Sequence, residues 1–252
     1  MEINLNIYYV GQANFTIIIR NEKTIIYDCG TMDLLRWTFR NNLRSNVKKY
    51  LKEILKNVKE ILLIISHNDE DHYNLLKCLT VFFIECKKNY VVIKNNCIET
   101  LKDPKNISYN EEIITKEKIN SFENFFNSNT NSESKIAVKL YLSFTESKNE
   151  NRKSIIMKIS GKFINGKFYS LLFTGDANGD TINDIIKEYD IIKESPTEEN
   201  SPNNSSNDNP IKAFFTDIIF HMNPHHGVIT DNSFLWSNYS IQYSSYPVLN
   251  II

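Results

Sequence analysis

The stretch Ser66-His67-Asn68-Asp69-Glu70-Asp71-His72 decides the fold. It directly follows the apolar run of residues 61–65, which is typical of a strand buried on both faces. These seven residues include two imidazoles and three carboxylates, and crowded carboxylates repel one another unless positive charge lies among them. A divalent metal ion supplies such charge, so the stretch predicts a metal site at the end of a strand. The alternative is a solvated acidic turn in which one Asp caps a helix.

The histidines of the chain favour the metal site. All five lie at the ends of two predicted strands, and they are His67, His72, His221, His225 and His226. A third predicted strand, residues 171–174, ends in Gly175-Asp176. Strand ends that offer His with Asp, Asp alone and His predict one shared metal site at a sheet edge. Two alternatives remain open: Asp176 as a turn or N-cap residue, and His221 as the last buried residue of its strand.

The remaining pattern predicts a layered α/β protein. Strand-like runs at residues 4–10, 15–19 and 24–27 form an opening meander, and helical patterns follow at 33–59 and 73–86. Strands then alternate with helices through the second half, which favours α/β layers. We predict one domain over residues 1–252, with a low-complexity surface loop at about residues 195–210.

Composition excludes several classes of protein. The chain has 252 residues with 29 Lys plus Arg against 30 Asp plus Glu, so it is not a generally basic nucleic-acid-binding protein. No apolar run approaches the roughly 18 residues that a membrane span needs. The N-terminus lacks the basic start of a secretory signal, and the four cysteines form no CxxC pair. We therefore expect a cytoplasmic protein without membrane contact.

One local region is basic. Residues 36–59 contain eight basic side chains and one acid, Glu53, and six of the basic residues recur at every fourth position: Arg36, Arg40, Arg44, Lys48, Lys52 and Lys56. On a helix, this spacing forms a stripe that can follow a polyanion. The alternative is an ordinary solvated helix face.

The order His-x-Asp-x-Asp-His, Phe-Thr-Gly-Asp and His-His-Gly resembles the metallo-β-lactamase fold superfamily. Within it, the chain is similar to the hydrolase domain of ComEC-type DNA-uptake proteins and their stand-alone relatives, which have Asp at the position of Asp69. Residues 10–15, 27–30 and 151–156 are also similar to that group. The resemblance implies a four-layer αββα sandwich that combines α-helices and β-sheets.

The resemblance also implies the ligands of one or two divalent ions, Zn²⁺ or Mn²⁺. His67 and Asp69 would bind the first ion and Asp71 and His72 the second. Asp176 would bridge them, and His225 or His226 would complete the second site. Asp69, Asp71 and His72 would then act in catalysis, with a hydroxide generated from water at the metal as the nucleophile.

Three functions are compatible with this sequence. The first is a phosphodiesterase or nuclease acting on DNA or another nucleotide polymer, with Arg36, Arg40, Arg44, Lys48 and Lys52 contacting the substrate. The second is a hydrolase of a small substrate such as a lactone, a thioester or a cyclic nucleotide. The third is a non-catalytic interaction module, which the absence of histidine between His72 and His221 favours. The sequence indicates no particular protein partner.

Overall fold

The computed structural model describes residues 3–7, 15–30, 48–94, 111–113, 115, 119–127, 135–143, 153–163, 165–189, 218–222 and 248–251. Its strands, in chain order, are β1 Ile3–Ile7, β2 Phe15–Arg20, β3 Lys23–Cys29, β4 Glu60–Ile64, β5 Asn89–Lys94, β6 Glu111–Ile113, β7 Ala137–Tyr141, β8 Ile156–Lys162, β9 Phe168–Phe173, β10 Ile218–Met222 and β11 Val248–Ile251. Its α-helices are α1 Lys48–Ile54, α2 Glu70–Tyr73, α3 Leu76–Glu85 and α4 Gly179–Glu188, and a 3₁₀ turn covers Ile119–Phe122. No helix in these ranges is long and apolar enough to cross a membrane.

These strands form two sheets. The larger sheet has the order β11-β1-β2-β3-β4-β5-β6, antiparallel from β11 to β3 and parallel from β3 to β6. The smaller sheet has the order β10-β9-β8-β7, in which β10 and β9 are parallel and the other pairs are antiparallel. The parallel pairs matter for the site, because their strands end at the same edge of the sheet.

Three apolar clusters divide the molecule into four layers. The central cluster lies between the two sheets and joins Ile25 and Leu62 to Met157 and Leu171. The outer face of the larger sheet is covered by α1 and α3, and that of the smaller sheet is covered by α4. This arrangement confirms the predicted αββα fold.

The strand that precedes the decisive stretch is central, as its apolar run predicts. Leu62 and Ile64 of β4 face the other sheet, whereas Ile61 and Leu63 face the helices. All four side chains are therefore buried, which explains why no polar residue interrupts the run. The predicted loop at residues 195–210 lies outside the described residues.

Candidate metal centre

Two strand ends, one from each sheet, bring the predicted metal ligands together. His67 and His72 follow β4 of the larger sheet, and Asp176 follows β9 of the smaller sheet. One ligand atom from each of these three residues lies within 4.8 Å of the others, and all three side chains are buried. Asp176 is more than 100 residues away from both histidines along the chain, and the fold brings the three side chains together.

The distances within this trio suit a divalent ion. The Nε2 atom of His72 lies 3.5 Å from Oδ1 of Asp176, and Nε2 of His67 lies 3.9 Å from Oδ2 of Asp176. Two ligand atoms about 2.0–2.1 Å from a tetrahedral ion are roughly 3.4 Å apart. The imidazole and carboxylate donors therefore have both the chemistry and the spacing that a divalent metal site needs.

Asp69 lies at the rim of the trio. Its Oδ2 atom is 3.1 Å from Nε2 of His67, and its side chain is 48% exposed. A hydrogen bond from His67, when its Nε2 carries a proton, lowers the pKa of Asp69, and the positive charges of the two histidines act in the same direction against desolvation. Asp69 is also the N-cap residue of α2, but its side chain makes no capping hydrogen bond. Its position favours a role at the metal site over the alternative of a capping Asp.

Asp176 is not a cap either. The N-cap of α4 is Asn178, whose side chain accepts a hydrogen bond from the Thr181 amide at 3.0 Å. Asp176 precedes the cap by two residues and is 5% exposed. Its carboxylate lies in the cluster with His67 and His72.

Asp71 lies in the first turn of α2 and is outside the trio formed by the other ligands. Its charge still raises the pKa of His72 and of Asp69. Its assignment to a second metal ion stays a prediction. His225 and His226 lie outside the described residues, although β10 runs parallel to β9 and so ends at the edge where Asp176 lies.

Sequence reasoning missed the role of Asp28. This residue is the penultimate residue of β3, has a positive φ of 57° and is fully buried. It accepts hydrogen bonds from the backbone amide of Ser66 at 2.7 Å, from its hydroxyl at 2.9 Å and from Nδ1 of His72 at 2.8 Å. Burial disfavours the charged form of His72, but the charge and hydrogen bond of Asp28, together with the charges of Asp176 and Asp71, outweigh it and raise the pKa of His72 to about 9. The sequence contains one signal for this role, which is an acidic residue near the end of the strand that pairs with β4.

Two glycines allow the strand ends to approach one another. A Cβ atom on Gly30 would lie 1.2 Å from the backbone carbonyl oxygen of Asp71. Gly175 has a φ of +54°, and a Cβ atom there would lie 2.6 Å from Cβ of Ser66. Glycine is needed at both positions because a side chain would occupy the space of the stretch that holds His67 and His72.

Two hydrogen bonds tie the halves of the site across the sheets. The Tyr27 hydroxyl donates to the Ile155 carbonyl at 2.6 Å, and the Ile155 amide donates to the Ser66 carbonyl at 2.7 Å. Tyr27 is fully buried, and this burial raises the pKa of its phenol well above the ordinary value. The bonds fix Ser66, next to His67, against the segment that leads into β8.

Replacing Tyr27 by phenylalanine is expected to destabilise the protein by about 2 kcal/mol, because the buried Ile155 carbonyl loses its donor. Urea unfolding followed by circular dichroism measures this loss. Tyr189→Phe is the matched control, since Tyr189 also donates to a backbone carbonyl, that of Leu142 at 3.2 Å, but is only partly buried. If Tyr27→Phe and Tyr189→Phe lose the same free energy of unfolding, the fully buried Tyr27 bond contributes no more to stability than the partly buried Tyr189 bond, which would contradict this prediction.

The basic region is described only in part. Arg36, Arg40 and Arg44 lie outside the described residues, and Lys48 begins α1. Leu51, Leu55 and Val58 are buried against the larger sheet, whereas the lysines of the segment are exposed where their side chains are described: Lys49, Lys52, Lys56 and Lys59. Over residues 49–59, the apolar side chains Leu51, Leu55 and Val58 are therefore buried and the described lysines are solvated.

Comparison with known proteins finds only distant structural similarity. No family model matches the sequence, and no curated protein matches it. Among solved structures, the metallo-β-lactamase fold protein YhfI from Bacillus subtilis has a TM-score of 0.37 at 10% identity, over 70% of this chain and 63% of that one. This chain thus spans less than two thirds of the length of YhfI.

Two further solved structures have similar values. Unliganded yeast PDE1 has a TM-score of 0.42 at 9% identity, over 74% of this chain and 69% of that one. A protein of unknown function from Enterococcus faecalis V583 has a TM-score of 0.39 at 9% identity, over 75% of this chain and 48% of that one. At these values none of the three indicates a substrate for this chain.

Proposed function

We propose that this protein is a metal-dependent hydrolase that cleaves phosphodiester bonds. The observation that carries the proposal is the buried convergence of His67, His72 and Asp176 from two different sheets. Buried imidazole and carboxylate groups need partners for their charges and lone pairs, and the Nε2 atoms of both histidines face the same carboxylate. A divalent ion satisfies all three at once.

His67, His72 and Asp176 would hold the ion, with Asp69 at the exposed rim. When bound, such an ion lowers the pKa of a water molecule and stabilises negative charge on a phosphoryl oxygen. Asp28 orients His72 by accepting the Nδ1 proton. The lowered pKa of Asp69 keeps its solvent-accessible carboxylate ionised, so that Oδ2 is able to hold a water molecule or accept its proton.

The phosphodiester substrate is supported by two features of unequal weight. The arrangement of Asp69 and Asp71 resembles the ComEC-type branch, in which a nuclease role is expected. The exposed lysines of the basic face, Lys49, Lys52 and Lys56, offer contacts for a phosphate backbone. We therefore propose single-stranded DNA or another nucleotide polymer as the substrate and place the protein in the cytoplasm.

We expect the protein to cleave single-stranded DNA in the presence of Mn²⁺ and to lose this activity by roughly 100-fold or more in Asp176→Asn, because metal-assisted charge stabilisation supplies several kcal/mol. The same variant should bind Zn²⁺ more weakly in calorimetry. Asp180→Asn is the matched control, since Asp180 is exposed on α4. Equal cleavage by wild type and Asp176→Asn would contradict the proposal and reveal a contaminating nuclease.

The substrate class has its own test. Changing Lys49, Lys52 and Lys56 together to alanine should weaken DNA binding at low salt and leave hydrolysis of a small phosphodiester unchanged, because backbone contacts release counterions. Hydrolysis of a lactone or thioester without any cleavage of DNA would transfer the assignment to a small substrate. Folded protein that takes up neither Zn²⁺ nor Mn²⁺ would indicate an interaction module.

A further inference from the structure

The hydroxyl of Ser66 lies among three groups of the site. Its Oγ atom is 2.9 Å from Oδ2 of Asp28, 2.9 Å from Nδ1 of His67 and 3.2 Å from Nδ1 of His72. Ser66 is fully buried, so water does not share these bonds. A hydroxyl donates one hydrogen and accepts through two lone pairs, which limits how the protons can be arranged.

The arrangement follows from counting donors. The carboxylate of Asp28 accepts only, so the contact of 2.9 Å requires the Ser66 hydrogen to lie between the two oxygens. Tyr27 also lies near Ser66, but its hydroxyl is a weaker acceptor than a carboxylate and gives its own hydrogen to Ile155. Ser66 then has only lone pairs for His67, so Nδ1 of His67 must carry the proton.

This tautomer determines what the other nitrogen of His67 offers. With the proton on Nδ1, a neutral His67 directs the lone pair of Nε2 towards Oδ2 of Asp69 at 3.1 Å and Oδ2 of Asp176 at 3.9 Å. A cation bound between this lone pair and the two carboxylates would stabilise all three groups, and in its absence the Ser66 hydroxyl keeps the proton on Nδ1. The tautomer is therefore the one that a metal ligand requires.

We infer that Ser66 is a positioning residue that relays the Asp28 carboxylate to His67 and fixes its Nδ1-protonated tautomer. Asp28 binds the Nδ1 proton of His72 directly and that of His67 through Ser66, so that one buried carboxylate orients both imidazoles. Without Ser66, Asp69 draws the proton of His67 to Nε2, because its carboxylate lies 3.1 Å from that nitrogen. The inference rests on the proposed metal site and explains how the Nε2 atoms of both histidines, in their neutral form, are kept free of a proton for the metal ion.

The tautomer is measurable without metal. In ¹⁵N NMR spectra of the metal-free protein, recorded where His67 is neutral, we expect the His67 proton on Nδ1 in the wild type and on Nε2 in Ser66→Ala. Ser154→Ala is the matched control, because Ser154 is also buried and its hydroxyl has no hydrogen-bond partner among the described residues. It should keep the wild-type tautomer.

Metal binding gives the second readout. We expect Ser66→Ala to lower the calorimetric affinity for Zn²⁺ by about 10–100-fold, as is usual for residues that orient a metal-binding histidine. Ser154→Ala should change the affinity by less than about threefold, since the Ser154 hydroxyl makes no hydrogen bond to either imidazole. An unchanged affinity in Ser66→Ala would overturn the relay.

The two proposals fail in different ways. A wild-type spectrum with the His67 proton on Nε2 would overturn the relay even if Zn²⁺ binds. This measurement uses the wild-type protein, so it does not depend on whether a variant folds. Wild-type protein that has the predicted tautomer but binds no Zn²⁺ would support the Ser66 assignment and contradict the proposed hydrolase.

Discussion

Replacing Gly30 by alanine is expected to lower the free energy of unfolding by about 3 kcal/mol or more, and to abolish metal binding. The new methyl group would lie 1.2 Å from the Asp71 carbonyl oxygen, 2.1 Å from its carbonyl carbon and 2.7 Å from the His72 amide nitrogen. These are backbone atoms, so no rotation of a side chain relieves the overlap. The segment that carries His72 must move away from β3 or the end of β3 must unfold.

The matched control is Gly166→Ala in the turn between β8 and β9. Gly166 has a φ of +85° and is exposed, and among the described residues a Cβ atom there would meet only Cε of Lys162, at 3.8 Å. Alanine at this position costs about 1 kcal/mol of backbone strain and leaves the metal site intact. Urea unfolding and Zn²⁺ calorimetry on both variants provide the comparison. If Gly30→Ala lowers the free energy of unfolding and the Zn²⁺ affinity no more than Gly166→Ala does, the close approach of β3 and α2 does not hold in solution.

The sequence predicted those parts of the site that depend on local pattern. The apolar run of residues 61–65 identified a central strand, and His67 and His72 follow it directly. Because strand ends collect at sheet edges, the Asp after β9 was expected in the same place, and the structure brings Asp176 within 4 Å of both imidazoles. These inferences required only the positions along the chain at which strands end, and did not require the order of the strands within the sheet.

Asp28 and Ser66 depend on information that local patterns do not contain. Asp28 contacts Ser66 and His72 across 38 and 44 residues of chain, and only because β3 pairs in parallel with β4 in one register, with Tyr27 opposite Ile64. A shift by one residue would turn the carboxylate away from the histidines. The positive φ of Asp28 adds a second requirement that is invisible in a periodic pattern.

The helices show the same limit. The predicted helix at residues 33–59 corresponds in the described residues to α1, Lys48–Ile54, which is followed by a turn before β4. Leu51, Leu55 and Val58 follow one another at helical spacings of four and three residues and are all buried, so burial continues along the apolar face beyond the end of the helix. The periodic pattern did not identify that end, since Lys88, from the turn before β5, donates hydrogen bonds to the carbonyls of Leu55, Lys56 and Val58.

The second large effect is expected for Asp28→Asn, which should destabilise the metal-free protein by about 3 kcal/mol. Asparagine has nearly the same size as aspartate and tolerates a positive φ, so the backbone of Asp28 is preserved. The change therefore tests the effect of the charge and of the number of acceptor oxygens, without a change in size or backbone conformation. Three donors converge on this side chain, two from Ser66 and one from His72, and an amide offers them a single oxygen.

Urea unfolding of the metal-free protein measures this effect, with Asp180→Asn as the control. Asp180 is exposed in the first turn of α4, where loss of the charge costs less than about 1 kcal/mol. Because Asp28 orients both imidazoles, Asp28→Asn should also weaken Zn²⁺ binding by about 10–100-fold, whereas Asp180→Asn should not. A variant at Asp28 that unfolds at the wild-type urea concentration would show that the donors of Ser66 and His72 find other acceptors, and that the buried carboxylate does not organise the site.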